Sequence, residues 1–423
     1  MDQPPAGTAD IAQALDGLAR KDRGRLLSSL VGSLRDFQLA EDSLQDALES
    51  ALVHWRRDGL PRAPAAWLMQ TARRKAFDRL RRAANFRAKE AEIAQLVELD
   101  NRDRDHDDDS PIADDRLKLI FTCCHPALES KTRVALTLRS VCGLTTEEIA
   151  DAFLDSTDAM AQRLVRARHK ITGAGIAYEV PGPEGWTERL QSVLAVIYLI
   201  FNEGYASSGE RHIRIDLCEE AIRLGRLLSD LRPKEPEIEG LLALMLLHHA
   251  RHAARLDAEG AIVSPEDQDR SLWNRAEIAE GGSMVELALK RGRPGPYQLQ
   301  AAIVAIHADS PRFEETDWEE IALLYGVLCR MSPNPVYELN RIVALSYREG
   351  PEPALARLAP IAPMLGPYQP IHAVRADLRA RLGRGEEAML AYRLARDLSQ
   401  SEAERLFFAQ KLRQFGEPET GTS

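Results

Sequence analysis

Apolar positions recur along this chain with the spacing of helices, and polar runs or Pro/Gly breaks close each run. Leu39–Trp55 carries Leu44, Leu48, Ala51 and Leu52 on one side and Glu41, Asp42, Gln45, Asp46 and Glu49 on the other, an amphipathic helix with an acidic face. A turn through Asp58-Gly59-Leu60-Pro61 follows, and Pro64 leads into a helix over Ala65–Arg82. In that helix Trp67, Leu68, Ala72, Ala76 and Leu80 face inward and the arginines outward. From Gly143 to Ile171 the pattern predicts two short helices joined by a tight turn. Thr145 and Glu148 form a capping box for the first, whose apolar face holds Ile149, Ala150 and Phe153. After a break at Leu154-Asp155, Ser156 is the N-cap of the second, where Met160, Leu164, Ala167 and Ile171 fall at i, i+4, i+7 and i+11. Asp158, Ala159, Gln162, Arg163, Arg166, His169 and Lys170 remain outside. This is the layout of a helix-turn-helix, and the competing reading is a helical hairpin with a solvated basic face.

Charge divides the chain further. From Arg73 to Lys89 there are eight basic residues (Arg73, Arg74, Lys75, Arg79, Arg81, Arg82, Arg87 and Lys89) against Asp78 alone, a surface suited to phosphates or to solvent. Glu98–Asp109 holds seven acidic residues and two arginines without apolar periodicity, the composition of a flexible tether. The cluster Pro181–Gly185 marks another boundary. The expected organisation is all-α: a first helical unit over 10–90, an acidic flexible linker over 91–113, a helix-turn-helix unit over 114–178, and a helical extension over 186–415. Two basic-faced units on a tether could engage separate DNA patches. In the extension, the segment around Ala354 echoes that around Ala388 at an offset of 34, the period of a tetratricopeptide repeat. Leu217–Leu228 and Ile238–Leu256 read as degenerate repeats or plain hairpins.

Composition sets the class. With 423 residues, 44% hydrophobic and 28% charged, the chain has the make-up of a globular protein with room for several cores. Helix formers dominate and β-branched and aromatic residues are sparse. The net charge of −10 argues against a protein coated in nucleic acid but permits local basic faces. The five cysteines (Cys123, Cys124, Cys142, Cys218, Cys329) lack framework spacing, no signal peptide is indicated, and apolar runs fall short of a membrane helix, so a cytoplasmic protein is expected. Cys123-Cys124-His125 and the set His248, His249, His252 lack metal-site partners. No phosphate-binding loop, dinucleotide glycine pattern or nucleophile elbow occurs, so no catalytic residue, metal or cofactor is expected. Asn202-Glu203-Gly204-Tyr205 reads either as a functional loop or as a helix C-cap.

In this order the segments resemble those of a bacterial RNA polymerase sigma factor of the extracytoplasmic-function type. The acidic helix Ala40–Trp55 resembles region 2.2, Pro64–Arg82 resembles regions 2.3 and 2.4, and Gly143–Ile171 resembles region 4.2, with nothing like region 1.1 or region 3. Leu117–Leu128, Ile197–Tyr205 and the long tail are similar to the subgroup with a large TPR-like C-terminal extension. The resemblance implies that Glu41, Asp42, Gln45, Asp46 and Glu49 face the polymerase β′ clamp helices, with the β flap as a second contact. It implies Arg73, Arg74, Lys75, Arg79 and Arg82 at the −10 element, and Gln162, Arg163 and Arg166 at the −35 element. Promoter DNA and core RNA polymerase are the implied partners, with a protein or the sigma domains themselves as contacts of the extension. Asp158 departs from a purely basic recognition tip. The alternative is a stand-alone helix-turn-helix regulator with a TPR interaction domain.

Overall fold

The computed structural model describes residues 18, 22–83, 110–153, 155–205, 214–399 and 401–416. The acidic tether Glu98–Asp109, Arg87 and Lys89 lie outside the described residues. Among those described, the only β feature is an isolated antiparallel bridge between Leu256 and Ile262; the rest of the regular structure is helical. The chain divides into two compact units, Met1–Leu199 and Ile200–Ser423.

The first unit opens with α1 (Arg23–Leu34), α2 (Phe37–Asp58) and α3 (Pro64–Ala83). Asp36 caps α2 by accepting from the Leu39 amide. The buried stripe of α2 runs Phe37, Ala40, Leu44, Ala47, Ala51, Trp55, and takes in Glu41 and Ser43. Leu52, expected inside, is 40% exposed, and Glu41, expected outside, is 3% exposed. The stripe is rotated because α2 must meet α3 through Trp55, whose ring packs edge-on against Trp67. Leu68, Ala72 and Ala76 are buried in α3 as the pattern predicts.

Next come α4 (Ser110–Cys123), α5 (Ser130–Ser140), α6 (Thr146–Ala152) and α7 (Thr157–Gly173). The helices on either side of the predicted tether share one core: α1 packs on α4 and α5, and α2 on α7. Gly24 permits the approach, since a Cβ there would stand 2.8 Å from the Val141 carbonyl oxygen. Tyr178 Oη lies 2.9 Å from both Ser28 O and Asp115 O and shares its proton between them. The helix α8 (Pro183–Tyr205) begins in this unit: Ser192 Oγ donates to Cys124 O and accepts from Arg133, and Arg189 donates to Phe121 O. The unit boundary therefore falls within α8, beyond the Pro181–Gly185 cluster.

Among the described residues the second unit comprises the end of α8 and ten α-helices: α9 (Ile215–Leu231), α10 (Pro236–His249), α11 (Arg275–Leu289), α12 (Pro296–Asp309), α13 (Trp318–Met331), α14 (Pro335–Glu349), α15 (Pro351–Leu365), α16 (Gln369–Arg381), α17 (Gly385–Leu398) and α18 (Glu402–Gln414). Leu241 through Leu247 are all buried, so α10 is apolar on every side and sits among α9, α11 and α12. The echo read in the tail has a structural counterpart. α15 starts at Pro351 and α17 at Gly385, an offset of 34 (385 − 351), and Ala354, Leu358 and Leu378 are buried like their counterparts Ala388, Tyr392 and Leu412. No described helix is long and apolar enough to cross a membrane.

Candidate nucleic-acid interface

Both predicted caps of the helix-turn-helix form. The Thr145 amide donates to Glu148 Oε2 at 2.7 Å and the Glu148 amide to Thr145 Oγ1 at 3.1 Å, which satisfies two free donors at the start of α6. Ser156 Oγ accepts from the Ala159 amide, opening α7. Met160, Leu164, Ala167 and Ile171 are all buried, which fixes the outward face. Gln162, Arg166, His169 and Lys170 are exposed on it. Arg163 is half-buried and donates to Asp155 Oδ2 at 2.7 Å, so it braces the turn between α6 and α7. Asp158 is exposed in the first turn, where a carboxylate is favoured by the positive end of the helix dipole.

On α3, Arg74, Arg81 and Arg82 are exposed, whereas Arg73, Lys75 and Arg79 are half-buried. Arg79 reaches across to α2: its Nη1 donates to Asp42 Oδ2 at 3.0 Å, and its Nη2 and Nε to Asp46 Oδ2 at 2.8 and 3.1 Å. The expected DNA-binding arginine and two expected polymerase-binding carboxylates are thus joined in one fork. Beside it lies a surface cavity of about 390 Å³ lined by Asp46, Lys75, Asp78, Arg79 and Arg82. Gln45 and Glu49 stand clear of the fork, with Gln45 Nε2 donating to Glu49 Oε1 at 3.4 Å.

Glu41 takes no part in that acidic surface. Its carboxylate is 2.8 Å from Arg168 Nε, 3.2 Å from Arg23 Nη2 and 3.9 Å from Arg139 Nε, so helices α1, α2, α5 and α7 converge on one buried charge. Burial lowers Arg23 to about 10, against the pull of Glu41. Arg23 Nε donates to Arg139 O at 3.0 Å, and Arg139 Nη1 to Leu144 O. Sequence reasoning missed Arg23, Arg139 and Arg168. The available signal was Arg168, flanked on α7 by Leu164 and Ile171, a position at the edge of the buried stripe.

Cys123, Cys124 and His249 make their contacts within the protein. Cys123 and Cys124 are buried, with Cys124 Sγ 3.4 Å from Thr137 Oγ1, and burial raises both thiols. His249 pairs with Glu277 at 3.0 Å. Among the described residues no three His, Cys, Asp or Glu side chains gather closely enough to hold a metal.

Residues 18–86 match the family model of sigma-70 region 2, residues 118–171 that of sigma-70 region 4, and residues 189–289 that of a family of unknown function, DUF6596. An uncharacterized protein of Rhizobium meliloti (strain 1021) is 46% identical over 394 residues, which cover 92% of this chain and 93% of that protein. No solved structure matches the chain.

Proposed function

The chain belongs to the sigma-70 family, as an extracytoplasmic-function type sigma factor with a C-terminal extension, and from that premise we propose how its surfaces divide promoter recognition. Exposed Gln162 and Arg166 of α7 enter the −35 major groove, where an amide and a guanidinium can each make paired contacts to a base edge. Arg74, Arg81 and Arg82 of α3 hold phosphates at the −10 element, and Lys75 lines the adjoining cavity. Opening of the −10 strand needs no chemistry from the protein. Binding energy for unstacked bases shifts the duplex toward the open form. Gln45 and Glu49 carry the contact to core polymerase, with Asp42 and Asp46 shaping the same face through Arg79.

The observation that carries this reading is the pairing of two exposed basic helix faces, one in the region-2 segment and one on a doubly capped helix-turn-helix in the region-4 segment. Purified protein with core RNA polymerase, tested in run-off transcription across promoters of the host genome, is expected to start at specific sites. Glu49→Lys is expected to abolish initiation while leaving the fold intact, because Glu49 is exposed and its only described bond is to Gln45. Tight, sequence-specific duplex binding without polymerase, unaffected by that substitution, would instead indicate a stand-alone regulator.

The helical extension regulates or scaffolds the sigma regions in this reading. Its removal is best tested by ending the chain after Tyr205, because Arg189 and Ser192 of α8 belong to the core of the first unit. Raised promoter-specific transcription from the shortened chain would assign it an inhibitory role, and lost transcription a supporting one.

A further inference from the structure

Three arginines of the second unit gather where α8, α10 and α12 end. Arg255 lies over the Tyr205 ring, 3.5 Å from its centroid, and donates to the Tyr205 carbonyl. Arg270 donates from Nη1 to the carbonyls of His307 and Ser310 at 2.9 and 2.5 Å, and sits 4.5 Å from the Trp273 ring centroid. Arg251 approaches the same indole at 5.7 Å. It donates from Nη2 to Tyr205 Oη at 3.3 Å and faces His248 Nδ1 at 3.4 Å, while its Nε is buried without a hydrogen-bond partner.

Among the described residues the charges here do not balance. Arg255 and Arg270 each sit at a helix C-terminus, and one such end supplies roughly half a negative charge. Two ends therefore offset about one of the three positive charges. The α10 end is taken separately, by His252 Nδ1 on the His249 carbonyl at 2.8 Å. Among the described residues none of the three arginines forms an ion pair, and Glu314 acts on Arg270 only from beyond ion-pair distance. Nor do the histidines contribute a countercharge. His248 accepts from Arg251 only as neutral imidazole, and burial with the surrounding arginines pushes His248 and His307 down. Aromatic faces steady the guanidiniums without neutralising them. A partly desolvated positive cluster of this kind is costly until an anion completes it.

We propose that this cluster binds an oxyanion, the phosphate group of a small molecule, with Arg251 as its anchor and Arg270 and Arg255 completing the positive field. The site gives a role to Asn202-Glu203-Gly204-Tyr205: Tyr205, at the end of α8, holds Arg255 against its ring and Arg251 by its hydroxyl. It makes the extension a ligand-binding unit, independently of how the sigma regions engage a promoter.

The test uses the full-length chain, titrated by calorimetry with inorganic phosphate and, separately, with a nucleoside monophosphate, ionic strength being held constant with chloride. Saturable binding at one site per chain is expected, weakened at least tenfold in Arg251→Gln, with helix content checked by circular dichroism. Should that variant unfold, Arg251→Lys keeps the charge but loses the planar fork, and weakened binding by this folded variant supports the site equally. A tighter monophosphate assigns a phosphate ester as the ligand, and equal affinity assigns the free ion. No saturable heat with either anion, or binding unchanged by substitution of Arg251, overturns the proposal.

Discussion

Glu41 and Arg79 differ from their sequence reading for the same physical reason: each charge is defined by partners far away in the chain. Helical periodicity places Glu41 on the acidic face of α2, yet Arg139 and Arg168 arrive from α5 and α7 to enclose it. Nothing local in Leu39–Trp55 announces those partners. His307 is a comparable case with a measurable consequence. Burial, then Arg251 and Arg270, hold its imidazole down at about 4, and its ring packs edge-on against Trp318. Above the unfolded value near 6.5 the neutral ring is common to both states and exerts no pH dependence. As pH falls from about 6.5 to about 4, the unfolded chain takes up a proton that the folded chain refuses, so stability is lost across that window, by at most ~3 kcal/mol. His307→Gln is expected to flatten the fall of the second unit's melting temperature over that range, measured in phosphate-free buffer. An identical slope in the two proteins would contradict the assignment.

At the scale of elements, the helices and caps were legible, and the rotation of a helix about its axis was less so. The caps of α6 and α7 are short-range chemistry, spaced within four residues, and both form as read. The buried stripe of α7 also matches its reading: Met160, Leu164, Ala167 and Ile171 keep one helical phase and are buried, and the lone Val165 off that phase is exposed. On α2, by contrast, Ala40 and Ala47 are small enough to read as neutral, and the larger Leu48 and Leu52 drew the predicted stripe toward the wrong flank. Trp67 and Trp55 settle the matter by packing together, a contact between elements that no single-helix pattern contains. The same distinction separates the arginines of α3. Arg74, Arg81 and Arg82 are exposed and available to phosphates, while Arg79 is already held by Asp42 and Asp46. Each phosphate neutralised adds about 0.9 to the salt dependence of duplex binding. Arg82→Gln in the polymerase-bound protein is therefore expected to lower the slope of log affinity against log salt by about one. Arg79→Gln is expected to lower it by less, with a change in stability of no more than ~1 kcal/mol because the pair is partly solvated. Equal slopes for the two variants would show that Arg79 leaves its carboxylates to bind DNA.

For the first unit as a whole, the structure poses a problem of reach. The −35 and −10 elements lie, by their own designations, about 25 base pairs apart, roughly 85 Å of duplex at 3.4 Å per base pair. Here α7 touches α2 directly, through Arg168 and Glu41 at 2.8 Å. On the promoter reading proposed above, the unit as described cannot span both elements, and α4–α7 part from α1–α3 before a promoter is engaged. Residues 84–109, between α3 and α4, number 26 (109 − 84 + 1), enough at about 3.5 Å each for a span of ~90 Å if fully extended. Separation exposes Glu41 with its arginines to water, where each is readily solvated, so the buried cluster need not be a large barrier. What it does set is the balance between packed and parted forms. Arg168→Gln removes the closest of the three cations while Arg23 remains on Glu41. Losing the nearest ion-pair partner of that buried carboxylate shifts the balance toward the parted form. The variant is expected to show a larger radius of gyration by small-angle scattering than the parent chain, and a several-fold gain in promoter-specific transcription at limiting polymerase. An increase in radius with no gain in transcription would mean that parting is not the step that limits promoter engagement. An unchanged radius would mean that Tyr178 and the Gly24 contact hold the packed form without help from the ionic cluster.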